Sequence, residues 1–268
     1  MIRFLNFVSI IVAFVILAFG VFNYVNRDHT TIYVGVDGYS APFSMTSDIG
    51  ELKGFGVDLM RAVANALDVN VEFRMIPFYV LQDSLRRGTV DAVVAPFDSN
   101  LKENQLNSNF TVPYFKNNLV FAVKDNLASK YKDISSMSGV KFCVTDKPDV
   151  LKYLRSKFKN SVIMIFASSE DAFSGLYKEQ CATFIDSKSS MYYYISKHRL
   201  RKLTVKDIPF TGEVTYKIAV GDNKAELLNR INKGLNYLMS TREIDNISKK
   251  WFSIPSELVT IQNPTDQR

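Results

Sequence analysis

Histidine and cysteine are scarce in this 268-residue chain, with two of each. His29 and His198 lie far apart, and no Cys/His cluster has the close spacing of metal ligands, so neither a metal nor a cofactor is expected. The two cysteines, Cys143 and Cys181, each sit in an apolar strand-like run, KFCVT and CATFI. A free buried thiol is the usual occupant of such a run, although an oxidising compartment would let the two pair. Concentrated positive charge is also lacking. The net charge is +6, yet Lys and Arg are interleaved with acids apart from Lys197, His198, Arg199, Arg201 and Lys202. This short cluster reads as a solvated basic face, and no nucleic-acid partner is expected.

What the chain has in quantity is apolar sequence, 47% of its residues, enough to bury one large core or two smaller ones. The first stretch, MIRFLNFVSIIVAFVILAFGVFNYVNR, carries Arg3 and then an apolar run from Phe4 to Tyr24, broken only by Asn6, Ser9 and Asn23. Such a segment directs export. Ala18-Phe19-Gly20 offers a small-residue cleavage site, but a run of about 20 residues also suffices to span a bilayer uncleaved. Residues 1–25 are therefore a signal peptide or a membrane anchor, and no cysteine near their end supports a lipid anchor.

Beyond this segment the chain alternates between two periods. TIYVGVDG reads as a strand, and GFGVDLMRAVANALDV as a helix whose Leu59, Ala62, Val63 and Ala66 fall at i, i+3, i+4 and i+7, with Asp58 as its expected cap. NVEFRMIP, VLQDSLRRG and TVDAVVAP continue as strand, short helix and strand. A second series follows NLVFAVKD: strand VKFCVT, helix DVLKYLRSKF, strand SVIMIFA, helix SEDAFSGLYKE and strand CATFID. YKIAVGD then leads to two helices, KAELLNRINKGLNYLMS and REIDNISKKWF. The order predicts an α/β protein of two similar lobes with largely parallel sheets. Parallel sheets bind ligands at the carboxyl ends of their strands, which singles out Asp37, Phe78, Pro96 to Asn100, Thr145 and Asp186.

Asp37 with Ala41-Pro42-Phe43, Gly54-Phe55-Gly56-Val57-Asp58-Leu59, Val90-Asp91-Ala92-Val93-Val94, Phe110 with Pro113-Tyr114, Phe184-Ile185-Asp186 and Lys249-Lys250-Trp251-Phe252 together resemble the periplasmic polar amino-acid-binding proteins of ABC importers, extracellular solute-binding protein family 3. The likeness is collinear from about Ile32 to Phe252. It implies the type II periplasmic binding protein fold, two Rossmann-like lobes joined by two crossing strands and closing on a ligand by a hinge. Residues 32–112 with 217–258 would form lobe one, 118–211 lobe two, and 259–268 a C-terminal tail. The crossings would fall near Pro113 to Asn117 and Gly212 to Tyr216. The implied partners are a small polar ligand and an ABC permease in the inner membrane, with the chain a periplasmic monomer.

The resemblance places an acid for the ligand's α-ammonium at Asp186, because a buried ammonium needs a charged acceptor. The alternative for Asp186 is the N-cap of the helix SKSSMYYYISK. Phe78 matches an aromatic that packs on the ligand, with core packing as its alternative, and Asp37 a ligand-near acid, with turn formation as its alternative. Tyr39 beside Asp37 and Thr145 complete the candidates outside one divergent stretch.

That stretch is VVAPFDSNLKEN, Val93 to Asn104. The family usually carries Gly, Thr, Thr and Arg there, which hold the α-carboxylate. An ungapped match from Asp91 puts Pro96 at the glycine, Asp98 and Asn100 at the threonines and Glu103 at the arginine; a slip of one residue instead brings Ser99 to the second threonine and Lys102 to the arginine. Lobe two departs too, because TDKPDV, Thr145 to Val150, lacks the family's glycines. Asp37, Asp98, Glu103 and Asp186 would make a net acidic cleft that favours a cationic or polyamine-like ligand over a free carboxylate. Two further readings compete: a periplasmic dehydratase on the same scaffold, with Asp98 or Glu103 as general acid, and a membrane-held sensor with a degenerate pocket. No His, Cys or Ser dyad near the strand ends supports an enzyme.

Overall fold

A computed structural model describes residues 31–96, 108–199, 202–209 and 214–253. The N-terminal segment and the tail lie outside them. No helix among the described residues is long and apolar enough to cross a membrane.

The first lobe is built on the sheet β5-β1-β6-β15-β7, formed by β1 (Thr31–Val36), β5 (Asn70–Met75), β6 (Ala92–Val93), β7 (Ser108–Phe110) and β15 (Ala219–Gly221). β1 pairs parallel with both β5 and β6, while β15 runs antiparallel to β6 and β7. A small antiparallel sheet of β2 (Tyr39–Ser40), β3 (Ser44–Thr46) and β4 (Leu52–Lys53) flanks it. One face packs against α1 (Phe55–Leu67), α6 (Ala225–Ser240) and α7 (Glu243–Phe252) around Val34, Leu59, Leu235 and Ile244. The other packs against α2 (Leu81–Arg86) through Leu81, Leu85 and Val93.

Several motif residues have structural work in this lobe. Gly54 begins α1 at φ 143°, and a Cβ there would stand 2.3 Å from the Phe43 carbonyl oxygen, so only glycine fits. Asp58 is not the cap that the sequence suggests. Gly54 takes that position, and Asp58, one turn in, accepts from Trp251 Nε1 at 2.8 Å and Lys250 Nζ at 2.7 Å, tying α1 to α7. Ala66 is exposed, because the buried stripe runs through Met60, Val63 and Ala64. Phe252 joins Phe43, Phe55 and Phe115 in an aromatic cluster with ring centroids 4.9–5.6 Å from its own. Asp91 accepts from the Tyr33 backbone N–H at 2.8 Å and pairs with Lys224.

The second sheet is ordered β11-β10-β12-β9-β13, from β9 (Leu119–Lys124), β10 (Lys141–Thr145), β11 (Val162–Phe166), β12 (Thr183–Ser187) and β13 (Leu203–Asp207). β10 pairs parallel with β11 and β12, and β9 antiparallel with β12 and β13. α3 (Pro148–Lys157) covers one face through Leu151, Leu154 and Phe158; α4 (Ser169–Tyr177) and α5 (Lys188–Lys197) cover the other through Phe173, Leu176 and Met191. The expectation of free thiols is corrected here. Cys143 and Cys181 form a disulfide with Cα atoms 5.7 Å apart, because the pairing of Phe142 with Thr183 brings β10 alongside the chain entering β12.

Between the sheets, β8 (Phe115–Asn117) and β14 (Val214–Tyr216) pair antiparallel. Two lobes joined by two crossing strands make the type II periplasmic binding fold. The buried Asn117 donates from Nδ2 to Ser189 Oγ at 2.7 Å and to the Tyr216 hydroxyl at 3.3 Å, so the crossing is stitched to the start of α5. α5 also reaches lobe one, where the Tyr193 hydroxyl meets Met45 Sδ at 3.5 Å and Ser196 Oγ meets Ser253 Oγ at 3.0 Å.

Candidate functional site

The candidate residues gather at the carboxyl ends of parallel strands in the two sheets. In the second sheet β10 lies parallel to β12 with Phe142 beside Thr183 and Cys143 beside Phe184, and Thr145 and Asp186 each stand two residues further along their strands. Asp186 is completely buried. Its Oδ1 accepts the Ser187 backbone N–H at 2.7 Å and the Lys147 ammonium, whereas its Oδ2 and the Thr145 Oγ1 are buried with no hydrogen-bond partner among the described residues. Buried polar atoms are normally satisfied, so two orphans at the ends of neighbouring strands single out this place for donors from elsewhere.

The capping alternative for Asp186 falls to its neighbour. Ser187 is the N-cap of α5, its Oγ accepting the Ser190 N–H, which leaves Asp186 free of that duty. Behind Asp186, burial and the nearby Asp186 charge raise the Tyr194 hydroxyl above the ordinary tyrosine range, so it stays a proton donor.

Lys147 was missed by sequence reasoning. It stands two residues beyond β10 and precedes Pro148 at the first turn of α3, and its backbone N–H closes the turn onto the Thr145 carbonyl at 2.8 Å. The signal was a lysine within the loop that lacks the family's glycines, but its partner lies 39 residues away and only the sheet register reveals it.

In the first sheet the carboxyl ends of β1 and β5 look different. Asp37 is buried, and its carboxylate accepts from the Ser40 N–H at 3.3 Å and from the hydroxyls of Ser40 and Ser44. These bonds hold the 38–44 turn and correspond to the turn-forming alternative. Around it stand exposed apolar side chains: Tyr39 at 80%, Phe78 at 44%, Tyr79 at 87% and Met75 at 54% exposure. Phe78 opens a one-turn 3-10 helix after Pro77, which turns its ring out of the core. Asp98, Asn100, Lys102 and Glu103 lie outside the described residues. Of the four acids counted as an acidic cleft, two are thus engaged internally: Asp37 with hydroxyls and Asp186 with Lys147. Among the described residues no group of three or more His, Cys, Asp and Glu side chains is arranged to hold a metal ion.

Comparison with known proteins agrees with this frame. The "Probable amino-acid-binding protein YxeM" of Bacillus subtilis is 25% identical over 233 residues, covering 85% of this chain and 86% of the relative. ABC transporter arginine-binding protein 1 of Escherichia coli is 25% identical over 224 residues, covering 82% and 90%. Among solved structures, an ancestral cationic amino acid solute-binding protein superposes with a TM-score of 0.76 at 25% identity, covering 83% of this chain and 95% of that one. These relatives are named as binding proteins and not as enzymes. Residues 32–254, which hold both sheets and the Asp186 strand end, match the family profile, and the chain belongs to the bacterial extracellular solute-binding proteins, family 3.

Proposed function

We propose that this solute-binding protein captures an amino acid or an amine-bearing relative between its lobes and delivers it to an ABC permease in the inner membrane. The observation that carries the reading is the buried carboxylate of Asp186 with its orphan Oδ2. An ammonium group matches it, since a cation with several N–H donors satisfies a buried carboxylate in charge and hydrogen bonding together. Thr145 would accept a further N–H. Tyr39 and Phe78 would pack on the ligand's side chain, and Asp98, Asn100 and Glu103 would edge the lobe-one side, with Asp37 shaping the turn beneath.

Residues 32–112 with 217–258 would then move against residues 118–211 about β8 and β14. Names such as arginine-binding protein in a relative and cationic amino acid solute-binding protein in a structural neighbour favour a ligand rich in amines. The Cys143–Cys181 bridge supports export to an oxidising compartment, as does the apolar N-terminal run.

A thermal-shift panel of L-amino acids, amines and polyamines tests the proposal. A ligand that binds only the folded state stabilises it by about 2.7 kcal/mol at a hundred times its Kd. At least one amine-bearing compound should raise the Tm in wild type and fail to do so in Asp186→Asn; a panel without any shift in wild type refutes the reading.

A further inference from the structure

The lobe-two strand end contains a cation, Lys147, in the loop that follows β10. Lys147 gives one donor to Asp186 Oδ1 while its side chain remains 45% exposed, beside a carboxylate that is fully buried. Its ammonium therefore keeps N–H donors beyond the one given to Asp186. Charge balance shows what they are for. Among the described residues at this strand end, Asp186 alone would receive an amino-acid head group as a net −1 assembly, with no cation there for the ligand's carboxylate. Asp186 and Lys147 together receive it as a neutral one, in which each charge has a neighbour of opposite sign. Closing two lobes on the second arrangement is far less costly than on the first.

We propose that Lys147 is the cation that receives the ligand's carboxylate. It takes from lobe two the task for which a guanidinium of lobe one would ordinarily serve, and so sets specificity for ligands bearing both an ammonium and a free carboxylate. The proposal deepens the functional reading above and rests on Asp186 as the ammonium acceptor. Three features of the loop suit the role. Thr145 and Asp186, at the ends of neighbouring strands, hold the orphan atoms Oγ1 and Oδ2, which accept the ligand's N–H groups. Lys147 approaches the other carboxylate oxygen, so both cations have a place on one acid. Its backbone is fixed by the Thr145 carbonyl and by Pro148, leaving only the flexible stem to follow the ligand. The acidic-cleft expectation of a cationic or polyamine-like ligand over a free carboxylate counted no cation here, and Lys147 supplies one.

The experiment is titration calorimetry at about pH 6, below the α-amino titration range, so that acid and amide forms both carry a charged ammonium. The probes are L-arginine, L-histidine and L-glutamine, each beside its α-amide. The unmodified protein should bind at least one acid on the order of thirty-fold more tightly than its amide, the usual scale for truncating one partner of a buried charge pair. Lys147→Met should erase that preference by weakening the acid and leaving the amide unchanged, and Lys147→Arg should keep it. Lys147→Gln, which still donates to Asp186 but has no charge, gives the same readout should the methionine variant fail to fold. Equal binding of acid and amide by the unmodified protein overturns the proposal, as does an undiminished preference in the neutral variants. Tighter binding of both forms by Lys147→Met overturns it too, since Lys147 would then be an obstacle. If Asp186→Asn abolishes amide binding while the Lys147 variants change nothing, or if no probe binds while an amine of the thermal-shift panel does, the proposal alone falls; if nothing in that panel binds, the functional reading falls with it.

Discussion

At the carboxyl ends of β1 and β5 the first lobe exposes rings and a thioether, Tyr39, Phe78, Tyr79 and Met75, and turns its carboxylate, Asp37, inward onto two serine hydroxyls. The second lobe does the reverse at the ends of β10 and β12. There the carboxylate of Asp186 is buried with one oxygen unsatisfied among the described residues, and the Lys147 ammonium is partly exposed. Among the described residues at these strand ends, one lobe offers apolar surface and the other offers charge. The division suits a ligand whose charged head enters lobe two while its side chain rests on lobe one, with charge contributing fidelity and the rings contributing area.

Four measurements test this contrast, the largest effect first. Phe252→Ala removes a fully buried ring from the aromatic cluster of lobe one and should cost about 4 kcal/mol of stability in denaturant unfolding, mostly through the cavity left behind. Lobe two should show its own dependence on the disulfide, which closes a sequence separation of 38 residues. Replacing Cys143 and Cys181 by alanine should cost about 3.9 kcal/mol on the chain-entropy account. An unchanged Tm in that double variant would show that the lobe-two core stands without the bridge.

Asp186→Asn should lower ligand affinity by about 3 kcal/mol in calorimetry. Its Tm should move little, since Ser187 caps α5 and the released Lys147 is already half-exposed to water. A large stability loss with affinity intact would assign Asp186 to structure and erase the difference between the lobes. The smallest effect belongs to Phe78→Ala, about 1 kcal/mol of affinity with stability within about 0.5 kcal/mol, because the ring is 44% exposed before any ligand arrives. Should Phe78→Ala weaken binding as much as Asp186→Asn, the apolar platform and the charged seat would carry equal shares.

Most of the fold was legible in the sequence because its signals are local. Period-two and period-3.6 patterns placed the long strands and helices, and SEDAFSGLYKE and REIDNISKKWF fall on α4 and α7 nearly residue for residue. TVDAVVAP was read at greater length than its β6 of Ala92–Val93, because an apolar run does not reveal where its pairing partner ends. The candidate site was legible as positions, since strand ends follow from strands, but not as bonds. Asp37 could be placed beside its turn, yet only the coordinates show its oxygens spent on Ser40 and Ser44.

The alternation of strands and helices and the residues at the ends of the strands follow from the sequence alone, as consequences of backbone geometry within a few neighbours. The tertiary structure decided the partners. Trp251 reaches Asp58 across 193 positions, Cys143 meets Cys181 across 38, and Lys147 meets Asp186 across 39. The first depends on how two helices pack, and the other two on which strands lie side by side and in what register. That choice belongs to the packing of whole sheets and helices, and no local pattern of residues encodes it.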